Sequence, residues 1–240
     1  MRPLCLALTL AASLAAQSTI PADLLKMGHS HRGDAFDTGP REKPWVIEGI
    51  GKSHFPITTS NPEVQKWFDQ GHTLLHSFWF YEAERSFRWC LKLEPDNAMA
   101  WWGMARANDE NPERSVKFIK EAAKRKSKVT ERERLYIEAW EAALVEDPLS
   151  DAKENDRQRK YKELLEQIVL KYPDDIEAKS MYVLATMWES GRASSDAMLK
   201  QIIAVDPRHP GAHHYRSPNP ASGRTAPSRE GRTAPAGSEP

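Results

Sequence analysis

Residues 67–95 read WFDQGHTLLHSFWFYEAERSFRWCLKLEP, and this stretch decides the fold. Apolar and small residues recur along it at the spacing of two amphipathic helices joined by a short turn. The residues that carry the pattern are Trp67, Gly71, Leu74, Phe80, Ala83, Phe87 and the closing Pro95. A pair of helices this short cannot bury its apolar faces alone, so the pattern predicts an all-α protein in which such pairs stack.

The spacing resembles the tetratricopeptide repeat (TPR). Counting back from Pro95 places these residues at the signature positions of that family, with Cys90 where a small residue is usual. Trp101 follows Trp67 by 34 residues, and Pro207 follows Pro173 by 34 residues, so the register continues along the chain. The resemblance implies an irregular TPR-like solenoid of helical hairpins, with an insertion in the third pair near residues 147–156.

Capping residues and prolines give the expected helix boundaries. Asn61 and Pro62 open the first helix, and Thr130 with Glu133 forms a capping box. The boundaries predict helices over 62–78, 80–93, 98–110, 112–126, 131–147, 150–171, 175–190 and 194–205, with a short one from 210.

Four segments divide the chain. Residues 1–16 have the basic start, short apolar run and small residues of a secretory signal peptide, which predicts an exported protein, periplasmic or extracellular. Residues 17–61 are expected to form an extended N-terminal segment, ordered as a strap beyond about Pro44. Residues 62–216 form the predicted helical repeat domain, and residues 217–240 a disordered low-complexity tail.

The tail follows a helix that begins at Pro210 and is abandoned within two turns. Its composition, with Gly-Arg-Thr-Ala-Pro occurring twice, is what a GC-rich gene read out of frame would give, so we expect a frameshift or truncation. The alternative is a natural disordered tail. An unfinished stack would expose Leu199, Ile202 and Ile203, which predicts self-association through this end.

Charge and cysteine content exclude several classes of protein. Lys and Arg number 34, and Asp and Glu also number 34, so no nucleic-acid partner is expected. No other apolar stretch is long enough to cross a bilayer, so no membrane insertion is expected after signal cleavage. Cleavage would leave Cys90 as the single cysteine, which we interpret as a small packing residue.

A wider stretch, from about Phe55 to Tyr215, resembles a group of exported bacterial TPR proteins. The similarity includes residues 55–59, 68–71, 75–79, 82–87, 98–105 and 209–215. The TPR resemblance also implies which side chains face the concave groove. These are Phe68, His72, Leu75 and His76 in the first pair, Trp102 and Arg106 in the second, and Leu184 and Trp188 in the fourth, together with Gln65, Met99, Asp109, Glu110, Glu177, Ser180 and Met187. We therefore favour a non-catalytic extracytoplasmic scaffold that holds a protein or peptide in this groove, without a cofactor.

The alternative is a metal-binding protein or a metal-dependent enzyme. His72 and His76 lie four residues apart on one helix and could ligate one transition-metal ion (Zn, Cu or Fe), with His213 and His214 completing the site. The sequence holds no metal-hydrolase motif, serine-nucleophile elbow or phosphate-binding glycine loop, so no catalytic residue is assigned.

Overall fold

The computed structural model describes Pro40 and residues 42–144 and 151–217. Within them the chain forms nine α-helices and no strand, which confirms the predicted all-α class. The helices are α1 (Pro62–His76), α2 (Phe80–Leu93), α3 (Ala98–Arg106), α4 (Pro112–Arg125), α5 (Glu131–Ala143), α6 (Asp151–Lys171), α7 (Ile176–Thr186), α8 (Arg192–Val205) and α9 (Pro210–Arg216). The predicted signal peptide, residues 17–39 and the tail after Ser217 lie outside the described residues.

Most helix starts follow from local capping chemistry. Asn61 accepts a hydrogen bond from the Glu63 N–H ahead of α1, with Pro62 at the first helical position. The capping box of Thr130 and Glu133 is present at the start of α5, as predicted. These starts therefore depend on the sequence within a few residues.

The end of α1 differs from the prediction, because the helix stops at His76 rather than near Phe78. Phe78 takes the left-handed conformation, with φ of 58°, at a position where glycine is usual. The Trp79 N–H donates to the Leu74 carbonyl, which closes the helix end. The strain is about 1–3 kcal/mol for a residue of this kind. In this conformation the half-exposed ring of Phe78 meets those of His214 and Tyr215, with centroids 4.8 and 6.3 Å away.

The helices pack as consecutive pairs. α1 packs on α2, α3 on α4, α5 on α6 and α7 on α8, and the second helix of each pair contacts the first helix of the next. The first helices form an inner row in which α1 contacts α3 and α3 contacts α5. The last helix, α9, contacts α7 and also returns to α1. The inner row therefore closes on itself.

The extended segment of residues 42–61 lies against this inner row. Phe55 is fully buried, with its ring centroid 4.9 Å from those of His72 and Tyr136 and 5.9 Å from that of Trp102. The backbone of this strap has no strand partner, so side chains satisfy it. The Phe55 N–H, for example, donates to Asp69 at 3.0 Å. The expected strap is thus ordered over 42–61 and occupies space that an open groove would need.

A buried ionic network joins the first two pairs. Glu84 on α2 accepts hydrogen bonds from Arg88 on the same helix and from Arg114 on α4. Asn108, in the turn before α4, donates to the same carboxylate at 3.2 Å. Because all four side chains are buried, these charges are compensated inside the protein rather than by water.

The expected apolar face at the C-terminal end is not exposed. Leu199 and Ile202 are 1% and 0% exposed, because α9 packs over them with Ala212 and Tyr215. That expectation was wrong for these two residues, and Ile203 is partly buried against the same cluster. Self-association remains a prediction, but the structure does not provide the surface on which it was based.

Cys90 and the apolar character of the helices were also subjects of prediction. Cys90 is buried and its Sγ lies 3.4 Å from the Val64 carbonyl oxygen. Burial raises the pKa of the Cys90 thiol, as a packing role requires. Among the described helices, none combines the length and apolar character that crossing a bilayer would require.

Replacing Phe55 with alanine should remove the anchor of the strap. We expect the free energy of unfolding to fall by about 3–5 kcal/mol, because a fully buried ring leaves a cavity that aromatic neighbours cannot fill. Urea denaturation followed by circular dichroism measures this loss. Val46→Ala, at an exposed strap position, is the control and should change stability by less than about 0.5 kcal/mol. Equal stability of the two variants would contradict the anchoring role.

Candidate functional site

The side chains predicted to face a groove are mostly buried. Five of them, Phe68, His72, Leu75, His76 and Trp102, are at most 8% exposed. Arg106 and Leu184 are partly buried, and the exposed ones are Trp188, at 77%, Asp109 and Glu110. The inner surface of the described helices is therefore filled by its own side chains and by the strap. Peptide binding along this surface remains a prediction.

The centre of the inner row is a carboxylate surrounded by histidines. His72 and His76 lie one turn apart on α1 and reach across to Glu177 on α7. Glu177 Oε2 lies 2.9 Å from His76 Nε2 and 3.6 Å from His72 Nδ1. All three residues are buried, and one potential ligand atom from each lies within 4.8 Å of the others.

A third histidine approaches the same oxygen. His209 precedes α9, and its Nδ1 accepts a hydrogen bond of 3.1 Å from the Ala212 N–H. Its Nε2 lies 3.3 Å from Glu177 Oε2. Three histidine nitrogens therefore converge on one carboxylate oxygen, from α1 and from the residue that caps α9.

Gly211 permits this convergence. A Cβ atom added there would lie 2.5 Å from His76 Nδ1 and 2.8 Å from Ser180 Oγ, well inside van der Waals contact. Any larger residue would push α9 away from α1 and α7. His209 would then move away from Glu177, because it lies two residues before the glycine.

Neighbouring groups orient the two histidines of α1. His76 Nδ1 forms a 3.0 Å hydrogen bond with the Tyr215 hydroxyl, and His72 Nδ1 forms one of 3.2 Å with Ser53 Oγ of the strap. Three buried atoms of the cluster, His72 Nε2, His209 Nε2 and Glu177 Oε1, have no hydrogen-bond partner in the described part of the chain. Buried polar atoms are usually satisfied, so these three indicate unused capacity to bind.

The cluster is held in the protonation state that a cation site requires. Burial lowers the pKa of His72 to about 3 and also lowers that of His76, although Glu177 opposes both shifts. Burial alone would raise the pKa of the Glu177 carboxyl, but the attraction of His72, the close approach of His209 and a hydrogen bond from His76 hold it well below its usual value. Burial therefore favours the neutral rings of His72 and His76, the form in which imidazole binds a cation, and the surroundings of Glu177 favour its ionised form.

His213 and His214, the other two predicted ligands, do not join this group. His213 is exposed and its Nε2 lies 2.8 Å from the Pro207 carbonyl. His214 Nδ1 contacts the backbone carbonyl of His76 at 2.7 Å rather than the carboxylate. The histidine that approaches is His209, at the start of the same segment.

Sequence reasoning named His72 and His76 but did not assign Glu177 and His209 to a metal. Glu177 was among the residues implied to face the groove, and this shared face was the available signal. His209 begins the His-Pro-Gly-Ala-His-His-Tyr segment that carried part of the resemblance, but nothing in the sequence indicated that it approaches His72 and His76.

Comparison with known families gave no matching family model. Comparison with curated proteins gave no significant match. The functional argument therefore depends on the geometry of the site.

Gly211→Ala should displace α9. We expect a loss of about 1–3 kcal/mol in the free energy of unfolding, because overpacking of a close contact outweighs the better helix propensity of alanine. Chemical denaturation measures the loss, with His213→Ala on the same helix as an exposed control. A Gly211→Ala protein as stable as the wild type would show that α9 does not need this close approach.

Proposed function

We propose that the protein binds one divalent transition-metal ion through His72, His76 and Glu177. The observation that carries this proposal is the convergence of buried histidine nitrogens on one carboxylate oxygen, contributed by residues up to 105 positions apart in sequence. Such a cluster is expensive to bury, and a cation that uses its lone pairs would offset the cost.

The spacing of the donor atoms supports the proposal. Four-coordinate zinc with bonds of about 2.0–2.2 Å keeps neighbouring ligand atoms roughly 3.4 Å apart. The distances of 2.9 and 3.6 Å from Glu177 Oε2 to the two nitrogens bracket this value. Two histidines and one carboxylate are the donor set of catalytic zinc sites and of non-haem iron(II) sites, so Zn²⁺ and Fe²⁺ are the favoured ions.

His209 fits the role of a positioning residue better than that of a ligand. Its Nδ1 accepts from a backbone N–H, so the proton of the neutral ring is on Nε2, which faces Glu177. Coordination through Nε2 would require that proton to leave and the cap of α9 to break. Tyr215 has a comparable supporting role, because its hydroxyl can accept from His76 Nδ1 when Nε2 is a ligand.

We further propose that the helical pairs are irregular TPR-like repeats of an extracytoplasmic protein. The support is the order of hairpins, the 34-residue recurrences and the resemblance of residues 55–215 to exported bacterial proteins. In this proposal the repeats act as a scaffold for the ion. The inner face, which binds peptides in the TPR family, here holds the metal ligands.

Metal content tests the proposed function. Protein purified without chelators or a His-tag should contain about one Zn or Fe ion per chain by elemental analysis. The double variant His72→Ala, His76→Ala and the single variant Glu177→Gln should both lose the ion, because each removes direct ligands of the metal. His213→Ala, which changes an exposed histidine, is the matched control and should keep it.

A stability measurement separates loss of the ion from loss of the fold. A chelator should lower the unfolding midpoint of the wild type but not that of Glu177→Gln, because only a protein that binds the ion is stabilised by it. Wild-type protein that stays metal-free after incubation with Zn²⁺ or Fe²⁺, with an unchanged midpoint, would exclude the proposal.

A further inference from the structure

A small cavity lies beside the proposed metal ligands. Its volume is about 30 Å³, and its lining includes His72, His76, Arg106, Asp109 and Tyr215 among apolar side chains. A cavity needs roughly 10–15 Å³ to hold one water molecule. This one has room for about two waters, or for an anion of a few atoms.

Arg106 supplies a positive charge to the cavity. Its guanidinium lies 3.9 Å from the centroid of the Trp140 ring, and its Nη1 donates to the Tyr161 hydroxyl at 3.3 Å. Its buried Nε has no hydrogen-bond partner in the described part of the chain. Asp109 also lines the cavity, and its carboxylate attracts Arg106 electrostatically. The guanidinium therefore has donor capacity left for a ligand.

The charge of the assembled site favours an anion. Glu177 carries one negative charge and the two histidine ligands carry none, so a divalent ion together with Arg106 leaves two positive charges. Asp109, at the wall of the cavity, can compensate one of them, which leaves one uncompensated. Uncompensated charge in a buried site is costly, and an anion in the cavity would reduce it. The apolar part of the lining excludes a large hydrated ligand.

We infer that this cavity binds a small anion, such as a triatomic anion or a small oxyanion, between Arg106 and the metal ion held by His72, His76 and Glu177. The inference rests on the proposed function. It adds a class of ligand to the proposed metal site. Arg106 is then the residue that favours a negatively charged ligand in the cavity.

Cobalt(II) and azide provide a direct test. Co²⁺ is titrated into metal-free protein and followed by its visible absorption, and then sodium azide is added at constant ionic strength held with perchlorate. We expect azide to change the cobalt spectrum with saturation at one anion per Co²⁺. Arg106→Met, which keeps the length and apolar character of the side chain, should weaken azide binding at least about tenfold.

The same variant should affect the metal in the opposite direction. Removing a nearby positive charge should leave Co²⁺ affinity unchanged or increase it, whereas a misfolded variant would lose both ligands. Arg106→Lys, which keeps the charge but loses the planar fork, should weaken azide less than Arg106→Met does. Arg159→Met, at an exposed arginine on α6, is the control for charge removal in general.

The outcomes separate the two proposals. Stoichiometric Co²⁺ binding with no spectral response to azide, or with equal azide affinity in the wild type and Arg106→Met, would overturn the anion inference and leave the metal site standing. Failure of the wild-type protein to bind Co²⁺ would overturn both.

Discussion

The buried carboxylate of Glu177 is the constraint on which the inner part of this molecule depends. A carboxylate that is 1% exposed must find partners inside the protein, because the cost of leaving it unpaired is several kcal/mol. The partners come from α1 and from the residue before α9, so both helices must lie against α7. Gly211 allows the necessary approach, and the same packing covers Leu199 and Ile202. The closed inner row, the covered C-terminal end and the candidate site therefore share one cause.

The inner surface of the helical pairs is filled rather than open. Phe55 enters from the strap and contacts His72, Trp102 and Tyr136, so the surface expected to receive a peptide is occupied by the chain's own side chains. What remains beside the histidines is a cavity with a cationic group and a tyrosine hydroxyl. The proposed metal and anion sites use this enclosed space, where electrostatic interactions are stronger than at an exposed groove.

Local sequence was sufficient to predict most of the fold. Asn61 with Pro62, Thr130 with Glu133, and Asn111 with Pro112 set helix starts through contacts within three residues, so the pattern alone located them. The end of α1 could not be predicted, because no local sequence pattern favours the left-handed backbone conformation at a phenylalanine. Phe78 adopts it where its ring meets His214 and Tyr215, more than 130 residues later. Only half of the site could be predicted, because it too depends on contacts between distant residues. His72 and His76 share a helix face, whereas Glu177 and His209 join them only through the curvature of the stack.

The return of α9 to α1 has a consequence for how the chain folds. In a linear array of hairpins each contact is between neighbours in sequence, so folding can begin anywhere and proceed at low contact order. Here the hydrogen bond between His76 and Tyr215 joins residues 139 positions apart. During synthesis from the N-terminus, His76 of α1 must wait for α7 and the last helix before its ring nitrogens are satisfied. The docking of α9 on α1 is therefore the slow, non-local step of folding. The helical pairs between them act as a spacer, whose length and curvature decide whether the two helices can meet.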